Sequence, residues 1–232
     1  MIKRLALPTL LALVFSPACG GTAEEPTPQL SSVDGVKFVE VVDHPYFPLK
    51  VGMKWTYESV SDQETERVEV EVLAETRDIQ GVTAVVVHDV ASVDGVIIED
   101  TRDWFAQDDK GNVWYLGEDT CEFEDGECVD HHGAWEWGVD GALPGIVMPA
   151  MPAVDGTPYY QEYDRGNAED YGEVREVGGS ADVPAGKYDD CITTYDGSTL
   201  EPIDEYKHYC RGVGLVLTEE PEATEKLLSF SE

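Results

Sequence analysis

Basic residues are scarce in this chain: Lys and Arg together number 15 against 48 Asp and Glu, for a formal net charge of −33. A surface of that sign repels phosphate backbones and anionic lipid headgroups, which excludes nucleic acid as a partner and argues against docking on acidic membranes through charge. Catalytic signatures are missing as well. The sequence has no GxSxG, HExxH, Walker loop, CxxC or glycine fingerprint after a strand, so the common routes to serine hydrolases, zinc peptidases, nucleotide enzymes and dithiol redox proteins are closed. Long apolar runs are lacking too. The run Leu5–Phe15 is about eleven residues, well short of the ~20 a spanning helix needs. From Lys54 to Glu118 no stretch sustains a helical period.

That short run has the form of a leader. Lys3 and Arg4 precede it, Ser16-Pro17-Ala18 supplies small residues after it, and Cys19 follows directly. The arrangement is that of a bacterial lipobox, with Ser16 and Pro17 departing from the usual residues, and the alternative is simple secretion. Cysteine arithmetic favours the lipid. The chain has five cysteines, an odd number for an exported protein; setting Cys19 aside as the lipid attachment leaves Cys121, Cys128, Cys191 and Cys210, which form two local hairpin pairs suited to an oxidising compartment. Gly20 after the cysteine resembles outer-membrane lipoproteins. The expected division is a signal peptide over 1–18, a lipidated cysteine and flexible tether over 19–36, one β domain over 37–218, and an acidic C-terminal tail over 219–232 with a short amphipathic helix at Ala223–Phe230. The leader holds two of the bases and no acids, so the mature chain carries 13 − 48 = −35. The acids are spread out instead of clustering at metal-loop spacing, which reads as a solvated surface, and no metal or cofactor is expected.

Strand signals dominate the rest. Glu66 to Val72 alternates cleanly, with Val68, Val70 and Val72 on one face and Glu69 and Glu71 on the other. Val82 to Val90 is almost unbroken apolar sequence and belongs deeper in a sheet. The central element is Asp103–Glu118, DWFAQDDKGNVWYLGE, two aromatic strands about a polar reversal. With Lys110 and Gly111 as the central pair, Trp104 shares a face with Val113 and Tyr115, and Phe105 shares the other with Trp114 and Leu116. Both faces are apolar and both require cover. A two-residue turn at Asp125-Gly126 sets Cys121 opposite Asp130, so a Cys121–Cys128 bridge requires a bulge or wider loop. Pairing Cys191 with Cys210 places Thr193 against His208 and Tyr195 against Tyr206. The fold class is therefore all-β, a single strongly curved antiparallel sheet or half-open barrel of about eight to ten strands.

Candidate chemistry is thin. His131 and His132 are neighbours on an extended strand and point apart, so they do not converge on one ion; His88 reads as a core histidine. Asp108 to Asn112 lacks the alternating ligands of a calcium loop, and turn chemistry explains it. Trp135 to Tyr163 is irregular, rich in proline, glycine and aromatics. Its Trp135, Trp137, Tyr159, Tyr160 and Tyr163 form the candidate ligand-facing surface for a small molecule or glycan, or else plug the open end of the sheet.

The stretches HPYFPLKVGMKWTYE, DWFAQDDKGNVWYLGE, WEWGVDGALPGIVMPAMP, VPAGKYDDC and YKHYCRGVGLV together resemble a family of exported bacterial proteins to which no activity is attached. The resemblance spans nearly all of residues 44 to 217 and implies one domain. It implies no cofactor and no catalytic residue. The leading functional expectation is a non-enzymatic binding or envelope-associated lipoprotein. The alternatives are a polysaccharide hydrolase working through paired carboxylates and a structural surface protein.

Overall fold

Alternating segments joined by tight reversals make a meander of the first half of the chain. In a computed structural model describing residues 27–200 and 202–232, the strands are Lys54–Ser61 (β1), Thr65–Ile79 (β2), Val82–Val93 (β3), Val96–Asp108 (β4) and Val113–Glu124 (β5), each antiparallel to the one before. Gln80-Gly81 and Asp94-Gly95 link β2 to β3 and β3 to β4, with φ of 53° and 80° in the first and 51° and 78° in the second. Two central residues at positive φ give the type I′ turn, whose twist matches the strands it joins; glycine at the second position adopts it without steric cost.

The second half adds Leu143–Met148 (β6), Tyr159–Tyr160 (β7), Glu162–Tyr163 (β8), Asp170–Val183 (β9), Gly186–Ser198 (β10), Glu205–Cys210 (β11), Gly214–Glu219 (β12) and Ala223–Ser231 (β13). The main sheet runs β7-β9-β10-β11-β12-β13-β1-β2-β3-β4-β5-β6-β8. Its two end strands are consecutive in the chain, with only Gln161 between them. Tyr159 and Tyr160 pair with Gly172 and Tyr171 of β9, while Glu162 and Tyr163 pair with Pro144 and Leu143 of β6. One short segment therefore draws the two ends together and nearly closes the curved sheet into a barrel. Gly145 permits this approach, because a Cβ there would collide with the backbone of Tyr160 and Gln161. The all-β curved sheet expected from the sequence is the observed architecture, and no helix occurs among the described residues.

Two apolar clusters hold it. The larger fills the inside and includes Trp55, Tyr57, Val68, Val72, Val87, Phe105, Tyr115, Ile192, Val216 and Leu227. The smaller lies outside β3–β5, where Ala84, Val86, Trp104, Ala106, Trp114 and Leu116 are covered by Val33, Val36, Phe38 and Ile146. Fully burying each large side chain contributes roughly 1.5–3 kcal/mol. The central hairpin is thus covered on both faces, as its composition requires. Its register near the turn differs from expectation by one residue: Phe105 faces Tyr115, Ala106 faces Trp114 and Gln107 faces Val113. The reason is Asp108, whose carboxylate accepts hydrogen bonds from the Lys110 and Asn112 amides, Asn112 Nδ2 and Trp114 Nε1. This ties off a longer loop than a two-residue turn. A bulge beside Trp104 and Phe105 restores the expected register at Trp104 opposite Gly117.

Two stretches differ from expectation. The tether docks before residue 37: Gln29 bridges Tyr159, its amide donating to Pro158 O at 3.0 Å and its carbonyl accepting from the Tyr160 amide at 3.1 Å. The residues read as an acidic tail and helix are strand β13, paired with β12 and β1. Alternation of Ala223, Glu225 and Leu227 on the inner side against water-facing partners suits a strand better than the helical reading. The expected signal peptide over 1–18 and the expected lipid attachment at Cys19 lie outside the described residues. Both hairpin disulfides form, Cys121–Cys128 and Cys191–Cys210. The first forms in a bulged ladder, with Phe123 opposite Cys128 and Glu122 opposite Asp130, so it joins the strands diagonally across a Cα–Cα distance of 5.8 Å. The second carries the register expected of it, Thr193 against His208 and Tyr195 against Tyr206.

Candidate functional site

Strand alternation sends every second side chain into the barrel, and these inward positions are of two kinds. Trp55, Tyr57, Val68, Val70, Val87 and Phe105 are apolar and, with Phe47 and Leu215, line a cavity of about 190 Å³. Asp89, Asp103, Tyr115, Gln161, Asp196, Glu205 and Lys207 line it too, and the two kinds interleave where Asp89 faces Val70, Asp103 faces Val87 and Tyr115 faces Phe105. Leu49 and Glu220 also line it and are half-buried, so the cavity reaches the surface. Its volume lies below the ~300–1,000 Å³ of drug-sized sites, which limits an occupant to a small molecule or one end of a longer one.

Three hydrogen-bonded groups lie at the polar lining or behind it. In the first, the Tyr115 hydroxyl lies 2.5 Å from Asp103 Oδ1 and 2.8 Å from Glu118 Oε2. A phenol has one hydrogen, so both contacts are satisfied when Tyr115 donates to Asp103 and a protonated Glu118 donates to the phenol oxygen. The environment favours that proton: burial, followed by the nearby Asp103 charge, pushes the Glu118 carboxyl up to about 7. In the second, Trp135 Nε1 donates to Glu162 Oε2 at 2.7 Å. Burial and the neighbouring Asp170 raise Glu162 well above the usual carboxylate range.

The third group contains the buried cation. Lys207 Nζ lies 3.0 Å from Asp196 Oδ2 and 2.9 Å from Glu205 Oε2, with the side chains of Lys207 and Asp196 only 10% and 1% exposed. Burial works against the ammonium, but Asp196 and Glu205 more than compensate and hold it well above the usual lysine range. Gln161 Nε2 donates to the same Asp196 Oδ2 at 3.2 Å. Two acceptors here are left over: Gln161 Oε1 and Asp196 Oδ1 are fully buried and have no hydrogen-bond partner among the described residues. The Tyr159 and Thr194 hydroxyls are also buried without a hydrogen-bond partner among the described residues. Gly172 makes room for this arrangement, since a Cβ there would strike Gln161 Nε2 and crowd the Tyr159 ring.

None of the five aromatics expected to face a ligand lines the cavity. Trp135 is buried in the inner cluster, edge-on to Tyr115, and Trp137 packs near Phe38. Tyr160 and Tyr163 pack on each other at 5.0 Å between ring centroids. Tyr159 is the nearest to the polar lining, with Asp196 the first charge raising its hydroxyl after burial. The irregular segment reaches the cavity through Val147 and Gln161 instead. Sequence reasoning missed the inward acids because they sit in strands whose alternation does not distinguish the closed side of a barrel from the wet side. His131 and His132 are both exposed, as expected for a surface pair, and His88 bonds Asp100 Oδ1 at 2.9 Å while half-buried. Cys121, Cys128 and His131 are close enough for one ion, but the two sulfurs are joined in a disulfide, which removes the thiolate chemistry a metal requires.

No family model and no curated protein matches the chain. A solved structure from Parabacteroides distasonis ATCC 8503, described as "a putative lipoprotein", is similar at 15% identity and a TM-score of 0.43, covering 81% of this chain and 99% of that one.

Proposed function

We propose that this chain is an exported cell-envelope lipoprotein, lipidated at Cys19 and held at the outer membrane, whose barrel receives a small amphiphilic molecule without transforming it. The observation that carries the binding reading is the mixed lining of the cavity: aromatic and aliphatic side chains together with hydrogen-bonded acids and Lys207. An apolar lining with a few fixed polar groups is the usual composition of a small-molecule site. The lipid reading gains from the disulfides, which use four of the five cysteines and leave Cys19 as the remaining thiol.

Two experiments test it. Native mass spectrometry of the mature chain, purified from an exporting host, is expected to show a small-molecule adduct that is lost on denaturation, and octyl glucoside is expected to quench or shift the fluorescence of Trp55 in the cavity wall. A chain that carries no adduct and whose fluorescence ignores octyl glucoside would contradict the binding reading. Metabolic labelling with palmitate is expected to mark the protein and to fail in Cys19→Ala.

A second reading, hydrolysis of a polysaccharide, draws on Asp89 and Asp103, which face the same cavity from neighbouring strands. Burial and then the Asp103 charge raise Asp89 well above its ordinary range, as a general acid requires. Glycan cleavage abolished equally by Asp89→Asn and Asp103→Asn would favour this reading over simple binding.

A further inference from the structure

Two of the unpartnered buried atoms, Gln161 Oε1 and Asp196 Oδ1, can only accept hydrogen bonds, and both belong to residues that line the cavity. The Tyr159 and Thr194 hydroxyls are buried and unpartnered as well. A buried acceptor without a donor costs about 1–3 kcal/mol, and two on side chains already joined by one hydrogen bond call for a donor there. The charge around them has one sign. Asp103, Asp196, Glu205, Glu220 and Glu225 line the cavity against the single ammonium of Lys207, and that ammonium is already engaged by Asp196 and Glu205. A carboxylate or phosphate occupant would therefore be repelled. The acids are also spread along the lining: among the described residues, the one set of three His, Cys, Asp or Glu ligand atoms gathered tightly enough for an ion is at Cys121, Cys128 and His131, none of which lines this cavity, and its two cysteines are joined in a disulfide. A spread of acceptors suits an extended organic donor better than a compact metal ion.

Resting on the binding reading above, we infer that the molecule held in the barrel is an organic cation, with a primary ammonium or other N–H-rich head hydrogen-bonded to Gln161 Oε1 and Asp196 Oδ1 and an apolar body against Trp55, Tyr57 and Phe105. The head completes the two open acceptors and adds a positive charge among the acids. The aromatic lining supplies ring faces and apolar area to the rest, an arrangement that also favours a nearby cation. Gln161 is the only residue between the two end strands of the sheet, so head recognition and barrel closure meet in one side chain.

Titration calorimetry of the chain from Gly20 to Glu232 with octylammonium, octyl glucoside and octanoate, which share a tail and differ in head, tests this. Octylammonium is expected to bind about tenfold or more tighter than octyl glucoside, a difference of about 1.4 kcal/mol, and octanoate not at all. Asp196→Asn and Gln161→Leu are expected to remove most of the ammonium preference; Gln161→Leu leaves the Asp196–Lys207 pair intact and serves should Asp196→Asn fail to fold. Equal binding of octylammonium and octyl glucoside would overturn the cationic head while leaving an amphiphile container. Binding of Ca²⁺ that displaces octylammonium would overturn the organic head in favour of an ion. Absence of binding by all three probes would overturn the container reading itself.

Discussion

Lys207 Nζ lies 3.0 Å from Asp196 Oδ2 inside the barrel, where the Asp196 side chain is 1% exposed. Charges that deep are stable only together, because each would face the desolvation cost alone. Lys207→Met therefore leaves Asp196 and Glu205 buried without their counter-ion and is expected to cost about 3–5 kcal/mol in urea denaturation. Adding Asp196→Asn to Lys207→Met should recover part of that loss. A double variant no more stable than Lys207→Met would show that the pair is not coupled.

Glu118 sets a pH dependence whose sign follows from its proton. Its carboxyl is raised from 4.5 to about 7 in the folded chain, so between those values the folded state keeps a proton that the unfolded state has released. Stability therefore falls as pH rises through that window. Glu162, also raised, adds in the same direction. Glu118→Gln keeps a donor for the Tyr115 oxygen and is expected to flatten the slope, read as urea midpoints at about pH 5 and about pH 7.5. An unchanged slope would place the proton elsewhere.

Asp108 acts in the opposite sense. Burial pushes its carboxyl up, but hydrogen bonds from Asn112, Trp114 and Lys110 outweigh this and hold it below its ordinary value. Its stabilisation is present above the unfolded value of 3.8 and lost as pH falls through the lower folded value. Asp108→Ala opens the turn and leaves the Trp114 indole N–H without its acceptor, a cost of about 2–4 kcal/mol by calorimetric melting.

The two disulfides differ in reach. Cys191 and Cys210 are 19 residues apart in sequence and buried at 1% and 0% exposure, while Cys121 and Cys128 are 7 apart at a hairpin tip. Loop closure gives about 3 kcal/mol for the larger loop and somewhat less for the smaller. The paired change Cys191→Ala with Cys210→Ala should destabilise more than Cys121→Ala with Cys128→Ala. The reverse order in denaturant midpoints would refute this.

Surface charge gives a salt effect. The chain carries 15 − 48 = −33, and screening that self-repulsion should raise the melting temperature between about 0.02 and about 0.3 M NaCl. A fall over that range would contradict the solvated-surface reading.

The sequence by itself determined the strands, most of the turns and the disulfide partners, because these are local. Alternation from Val68 to Val72 reports burial within one strand, glycine after Asp94 reports a positive φ, and the Cys191–Cys210 spacing fits one register. It also required cover on both faces of the Asp103–Glu118 hairpin, since aromatic residues occur at successive positions there. What it could not supply depends on residues distant in the chain. The shift of Phe105 onto Tyr115 depends on which groups the Asp108 carboxylate collects. Strand β13 reads as an acidic tail until β1 and β12 stand on either side of it. The site is decided at the same level: Asp196, Lys207 and Gln161 come from three separate segments, and an Asp in an alternating strand faces water or a cavity according to whether the sheet curls around it. Only the closure made by Tyr159–Tyr163 turns those inward acids from a wet face into a wall.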